Sequence, residues 1–248
     1  MIMTSVLATV YHEIGAGGFP HNDQIMLFFL RVHALLTPDM TVMDFGAGRG
    51  RISEASSGFC RDFKILKGKC GKVIGADIDP IVRENQTVDE SCVIDADGRI
   101  PLPDRSVDLV FSCATFEHIE KPAETARELS RVLRPGGWIC AWTPAKWGYV
   151  AVGARLVPNA MHARAVRMLA SGGRRTADVF PTFYRLNTIG AVQQHFMPLG
   201  FTDYSYYLGG APSYFANRAA LARFWAGYNS LMPPPLKKNL HVFLQKNG

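Results

Sequence analysis

The chain has 248 residues, of which 48% are hydrophobic and 19% charged, and it carries a net charge of +6. That suits one well-buried α/β domain rather than two. No secretory leader or membrane span is expected, because Met1 to Val10 lacks a cationic start and the most apolar window, Ile25 to Leu36, is broken by Arg31 and His33.

A cytoplasmic protein is expected. Five cysteines with no C-x-x-C pair argue against disulfides and a zinc knuckle, and no metal site is foreseen. Cys92, Cys113 and Cys140 lie in or beside apolar runs and read as small core residues. No nucleic-acid reading motif accompanies the basic charge.

Residues 1–38 precede the first strand. Tyr11, His12 and the glycines from Gly15 to Gly18 read as either an N-terminal lid over the site or a surface loop. Asn22 or Asp23 then caps a helix whose apolar positions run from Ile25 to Leu35. Thr41 to Phe45 is an apolar run ending near an acid, a strand covered on both faces, and glycines follow at 46, 48 and 50. Alternating glycines let the backbone pass beneath a ligand. A dinucleotide fingerprint needs a third small residue at position 51, which is Arg51. Acid-x-G-x-G-x-G fits instead, from Asp44 to Gly50.

The first crossover helix is expected over 52–63. Lys72 to Asp77 is the second strand, with Asp77 at its tip, where a carboxylate accepts from ribose hydroxyls. Asp79 before Pro80 reads as a helix N-cap. Ser91 to Ile94 is the third strand, followed by Asp95-Ala96-Asp97 and then Ile100-Pro101-Leu102-Pro103-Asp104-Arg105-Ser106-Val107-Asp108. Leu109 to Cys113 is the fourth strand, and Glu117-His118-Ile119 lies just beyond it. A neutral imidazole there can take a proton at neutral pH, so His118 is the candidate base. An amphipathic helix over Ala123 to Leu133 ends in Arg134-Pro135-Gly136-Gly137, read as a left-handed termination, before a fifth strand at Trp138 to Trp142.

These four ordered motifs, from Asp44 to Gly137, resemble the class I S-adenosylmethionine (SAM) dependent methyltransferases. The resemblance implies a Rossmann-like, doubly wound α/β sheet of seven strands, six parallel and one antiparallel, with SAM as cofactor. It places the methionine portion on Asp44, Phe45, Gly46, Ala47, Gly48 and Gly50, and the ribose on Asp77 with Ile78. Adenine falls to Asp95 and Ala96, with Asp97 competing, and Cys113 completes the set.

The single domain then divides into a core over 39–143, an inserted acceptor lid over 144–186, and a last helix with strands six and seven over 187–248. Asn187-Thr188 caps that helix. Phe201 to Leu208 is strand six, Tyr214 to Leu231 is helical, and His241 to Leu244 is strand seven. Between Pro144 and Arg185 lie Lys146, Arg155, Arg164, Arg167, Arg174, Arg175 and Arg185 against Asp178 alone, which is the whole net charge. A helical piece is expected from Asn159 to Leu169. Clustered guanidiniums beside Phe180 to Tyr184 suit a small anionic acceptor such as a sugar, nucleotide sugar or carboxylate. Glu117, His118, Tyr184 and Arg185 are the catalytic candidates, and a homodimer is the largest assembly foreseen. The competing readings are an NAD-dependent oxidoreductase and a SAM-fold subunit that binds without catalysis.

Overall fold

The computed structural model describes residues 6–51, 58–156 and 180–248. Its sheet has eight strands: β1 (Thr41–Phe45), β2 (Lys72–Asp77), β3 (Glu90–Val93), β4 (Val107–Cys113), β5 (Leu133–Pro144), β6 (Phe201–Asp203), β7 (Tyr206–Leu208) and β8 (Asn239–Lys246). They are ordered β3-β2-β1-β4-β5-β8-β6, with β7 also on β8. The first five pair in parallel, and β8 runs antiparallel to β5, β6 and β7. The expected sixth strand over 201–208 is two strands because Asp203 bends the chain: its Oδ1 accepts from the Ser205 N–H at 2.8 Å, a local bond that replaces a ladder bond.

The central strands are buried on both faces, which is why they read as continuous apolar runs. Val42 and Met43 are both fully buried and point to opposite sides. On Val42's side lies α1 (Gln24–Leu35), with Phe28, Phe29 and Val32 against the sheet. On Met43's side lie α3 (Pro122–Val132), through Ala126, Leu129 and Val132, and α5 (Ile189–Phe196), through Val192 and Phe196. Burying a side chain such as Leu129 contributes roughly 2 kcal/mol. The remaining helices are α2 (Gly58–Lys64), α4 (Tyr149–Leu156) and α6 (Ala219–Leu231).

Local signals behave as their chemistry requires. Asp23 caps α1, accepting from the Ile25 and Met26 N–H groups, and Thr188 caps α5. Asp79 caps a 3-10 turn over Pro80–Glu84 rather than an α-helix. Three expectations are corrected. First, α3 ends at Leu133 in extended backbone, so Arg134 to Gly137 terminates no helix and instead bulges from β5. The register jumps from Val107↔Leu133 to Leu109↔Trp138, Gly136 sits at φ 79°, and Arg134 pairs with Asp108 at 2.6 Å. Second, α6 begins at Ala219, because Tyr214, Ala216 and Asn217 all hold positive φ, which no right-handed helix accommodates. Third, Tyr11 is buried beside Ile14 and Ala211 and His12 faces solvent, so neither lines the cleft described below. The expected helix over 159–169 and the first part of the 52–63 helix lie outside the described residues.

Candidate functional site

The strand order reverses between β1 and β4, and the crevice beyond their carboxyl ends is the position this sheet type offers a ligand. A cleft of ≈ 1410 Å³ opens there. A smaller hollow of ≈ 340 Å³ beside α3 is lined by Arg131 and Glu128, already paired at 2.6 Å, and is a salt-bridged groove.

The glycine loop forms one wall. Gly46, Gly48 and Gly50 all adopt positive φ, at 79°, 48° and 80°. A Cβ on Gly46 would collide with Thr115, and one on Gly50 with Asn85. Two of the three glycines are thus demanded by the protein's own packing. Thr115 and Asn85 carried no signal in the sequence, since each acts only on a neighbour distant in the chain. Asn85 Nδ2 also donates to the carbonyls of Ala47 at 3.1 Å and Gly48 at 3.3 Å.

Asp77 stands at the tip of β2 with each oxygen held by one backbone donor, Gly48 N at 2.7 Å and Asp79 N at 2.9 Å. This fixes the carboxylate and leaves each oxygen a further lone pair. Asp44, part-exposed at the cleft floor, is pushed up to about 7, first by burial and then by the Asp77 carboxylate. Two acids sharing one cleft favour a cationic ligand.

Ile78, Asp95, Ala96 and Asp97 also line the cleft. Asp95 Oδ1 accepts from Asp97 N at 3.1 Å and Arg99 N at 2.8 Å, so one of its oxygens holds the loop. Cys113 lines the cleft as a neutral thiol, with burial and then Asp44 raising it well above its usual range.

Beyond β4 the chain passes through Ala114 at φ 55° into a short 3-10 turn, Phe116–His118. Left-handed backbone at a non-glycine residue stores strain, and Ala114, Tyr184 and Tyr214 all hold it at the cleft. Glu117 is buried, and its Oε2 accepts from Thr143 Oγ1 at 2.8 Å. Asn187 Nδ2 in turn donates to Thr143 Oγ1 at 2.7 Å and to the Pro144 carbonyl at 2.8 Å. The other oxygen, Oε1, lies 4.0 Å from His118 Nε2. His118 Nδ1 is 2.7 Å from the Pro181 carbonyl. A carbonyl only accepts, so Nδ1 carries the proton and a neutral ring keeps its lone pair on Nε2.

Of the four catalytic candidates, Glu117, His118 and Tyr184 line the cleft and Arg185 does not. Arg185 donates to the Glu120 carbonyl at 2.5 Å and lies over the Phe183 ring. Tyr184 is buried, and burial, then Glu117, pushes its phenol up to about 12, so it remains protonated. The cleft's far wall was not legible in the sequence: Tyr149 of α4, Trp225 of α6 and Tyr214 come together only through tertiary packing. Among the basic residues of 144–186, Arg164, Arg167, Arg174 and Arg175 lie outside the described residues, and Lys146 and Arg155 are not on the cleft lining.

A sheet of this order, a glycine cradle of positive φ and a fixed carboxylate at the tip of β2 define the class I methyltransferase fold. The comparisons agree: residues 43–141 match the family model "Methyltransferase domain". Over those residues the chain is similar to SAM-dependent methyltransferases, which implies SAM as the cofactor. The chain is 29% identical over 142 residues to a ubiquinone/menaquinone biosynthesis C-methyltransferase of Hahella chejuensis, a match covering 54% of this chain and 57% of that one. It is 28% identical over 202 residues to a ubiquinone biosynthesis O-methyltransferase of Paraburkholderia phytofirmans, covering 75% and 84%. The chain thus spans little more than half the length of the first of these relatives. A solved methyltransferase of Methanosarcina mazei, 16% identical, superposes with a TM-score of 0.54 over 88% of this chain and 97% of its own, which shows the shared fold.

The residues present fit SAM. Its sulfonium and ammonium groups meet the need for positive charge that the raised Asp44 expresses, and its ribose hydroxyls match the remaining lone pairs of Asp77.

Proposed function

We propose that the protein transfers a methyl group from SAM to a small-molecule acceptor, with His118 taking the acceptor's proton. The observation that carries this reading is His118 itself. Its Nδ1 is committed to the Pro181 carbonyl, and its ring shares one cleft with the glycine cradle and Asp77. The loop from Asp44 to Gly50 would hold the methionine portion, Asp77 the ribose, and Asp95 or Asp97 the adenine. SAM supplies, when bound, a methyl group already activated by its sulfonium.

The chain's own residues then have two tasks. One is holding the acceptor in place, and alignment of this kind supplies most of the gain in such reactions. The other is proton removal, worth roughly 10²- to 10⁴-fold for a positioned base. Glu117, anchored by Thr143 and through it by Asn187, places a carboxylate oxygen 4.0 Å from Nε2 to stabilise the imidazolium that forms. Tyr184 closes the wall as a neutral phenol. The expected anionic acceptor draws no support from Lys146, Arg155 or Arg185, which lie off the lining.

Calorimetric titration with SAM, with NADH as the competing ligand, tests the cofactor half. SAM should bind, NADH should not, and Asp77→Ala should weaken SAM by roughly 1.5 to 3 kcal/mol, the scale of hydrogen bonds to a charged group. Preference for NADH, or unchanged SAM affinity in the variant, overturns the assignment. Release of S-adenosylhomocysteine in the presence of an acceptor panel separates a catalyst from a subunit that binds SAM without turnover.

A further inference from the structure

Arg185 stands beside the cleft without lining it, and what it holds leads to His118. The chain from Phe180 to Arg185 lies along the turn Phe116–His118 and the residues just after it. Phe183 N and Tyr184 N both donate to the Glu117 carbonyl, at 2.8 and 3.2 Å. The Pro181 carbonyl accepts from His118 Nδ1 at 2.7 Å, and the Phe180 ring meets the His118 ring edge-on, with centroids 6.0 Å apart. Arg185 Nη1 donates to the Glu120 carbonyl at 2.5 Å, while its guanidinium lies 5.4 Å from the centre of the Phe183 ring. Leu186 and Asn187, next in the chain, are fully buried. Arg185 is therefore the point where a strap over the turn meets the core.

The strap is strained. Two successive N–H groups reach one carbonyl because Tyr184 takes a φ of 52°, left-handed backbone that is unfavourable for a residue with a Cβ. Such a conformation persists where surrounding contacts over-determine it. A charge-assisted hydrogen bond is stronger than a neutral one, and the one from Arg185 ties the strap to the chain two residues past His118. What depends on the strap's place is a proton. In an imidazole without fixed partners the proton is shared between the two nitrogens, whereas the Pro181 carbonyl holds it on Nδ1 and leaves Nε2 its lone pair. Loss of that carbonyl would put the proton on Nε2 for part of the time and block the base.

We infer that Arg185 is a positioning residue for His118: by fastening the strap to the Glu120 carbonyl it keeps the Pro181 carbonyl on Nδ1, and so sets the tautomer in which Nε2 is the base. This rests on the reading of His118 given above and adds to it the group that makes the ring competent.

Nitrogen-15 NMR of the full chain with labelled histidine, at about pH 9 where imidazoles are neutral, reads the tautomer without any acceptor. The spectrum of His118→Gln identifies the His118 signals. His33 is an internal control, because its Nε2 lies 2.7 Å from the Phe63 carbonyl and so carries the proton. In the wild type His118 should be protonated on Nδ1 and His33 on Nε2. Arg185→Met keeps an aliphatic stem beside Phe183 and removes the donors. It should lower the ratio of Nδ1–H to Nε2–H in His118 about tenfold or more, the worth of one hydrogen bond to a charged group, and leave His33 and SAM affinity unchanged. Arg185→Lys restores a donor and should recover part of that ratio. A wild-type His118 protonated on Nε2 overturns the inference, as does a ratio unmoved by Arg185→Met, a shift shared by His33, or an Arg185→Lys ratio no better than that of Arg185→Met. The two readings fail separately: wild-type turnover in His118→Gln removes the base, whereas an unmoved tautomer removes only Arg185.

Discussion

Asp44 gives the sharpest quantitative consequence of the cleft. Its carboxyl is pushed from the ordinary 3.8 up to about 7 by burial and by Asp77. A cationic cofactor removes the cause by supplying the opposite charge, so binding should expel the proton that Asp44 holds below neutrality. At about pH 6 roughly nine-tenths of Asp44 is protonated without cofactor, and binding should release close to one proton. At about pH 8 that release should fall to roughly a tenth. SAM affinity should accordingly rise about tenfold from about pH 6 to about pH 8. Calorimetry in buffers of differing ionisation enthalpy counts the protons directly. The stability sign is equally definite. Between about 4 and 7 the folded state binds more protons than the unfolded one, so stability from this group falls as pH rises through that window. Asp44→Asn should therefore stabilise the cofactor-free protein at about pH 8, by at most about 4 kcal/mol at 1.36 kcal/mol per pKa unit, while losing the pH dependence of SAM binding. A wild-type protein that releases no proton at about pH 6, or an Asn variant that still does, refutes the account.

Gly46→Ala forces a Cβ into Thr115 at a left-handed φ, and the two costs together should lower unfolding free energy by roughly 2 to 5 kcal/mol in a urea titration. Adding Thr115→Gly should recover the steric part and leave the backbone part. His118→Gln should reduce kcat about 10²-fold or more and flatten the acid limb of the pH–rate profile, with SAM affinity intact; wild-type turnover across pH would remove His118 from the chemistry. Lys238 is buried, donating to the Ala211 carbonyl and Ser213 Oγ, and burial lowers it to about 7. The unfolded state then binds more protons between about 7 and 10.5, so stability rises with pH across that window, by at most about 5 kcal/mol. The melting temperature of Lys238→Met should lack this rise, and a parallel rise in both proteins would exclude Lys238 as its source.

The glycine-loop half of the cleft was legible because each of its signals is local. Asp44, the three glycines, Asp77 and Asp95 are each read from a strand end and the few residues after it, and all line the cleft. The reason for the glycines was only partly legible. Backbone access to a ligand was foreseen, whereas the demands of Thr115 and Asn85 depend on residues 69 and 35 positions away, distances read from the numbering. The Leu-Arg-Pro-Gly-Gly segment misled for a related reason. A glycine with positive φ serves equally in a helix termination and in a strand bulge, and what decides between them is the pairing of β5 with β4. The far wall of the cleft was illegible altogether, since Tyr149 and Trp225 lie 76 positions apart and meet only because α4 and α6 pack together. Arg185 erred the other way: it followed an aromatic run beside the site, yet a backbone carbonyl of Glu120 holds it off the lining.

The charges of the cleft also bear on the order in which its two ligands enter. Asp44 and Asp77 at one end and Glu117 at the other share a cleft whose lining also carries Arg49, Arg51, Lys64 and Lys121, and burial, then Asp77, raises Asp44 to about 7. A cation bound at the glycine loop relieves Asp44 and lowers the field along the whole cavity. In the proposed reaction the imidazolium formed at His118 would depend on that field: Glu117, 4.0 Å away, would stabilise the ring, and the cofactor's positive charge would oppose protonation until it is lost with the methyl group. Proton removal and methyl transfer are thereby favoured together rather than in sequence. Cofactor entry ahead of the acceptor follows from the same electrostatics, because the first cation to arrive relieves the repulsion between the two aspartates.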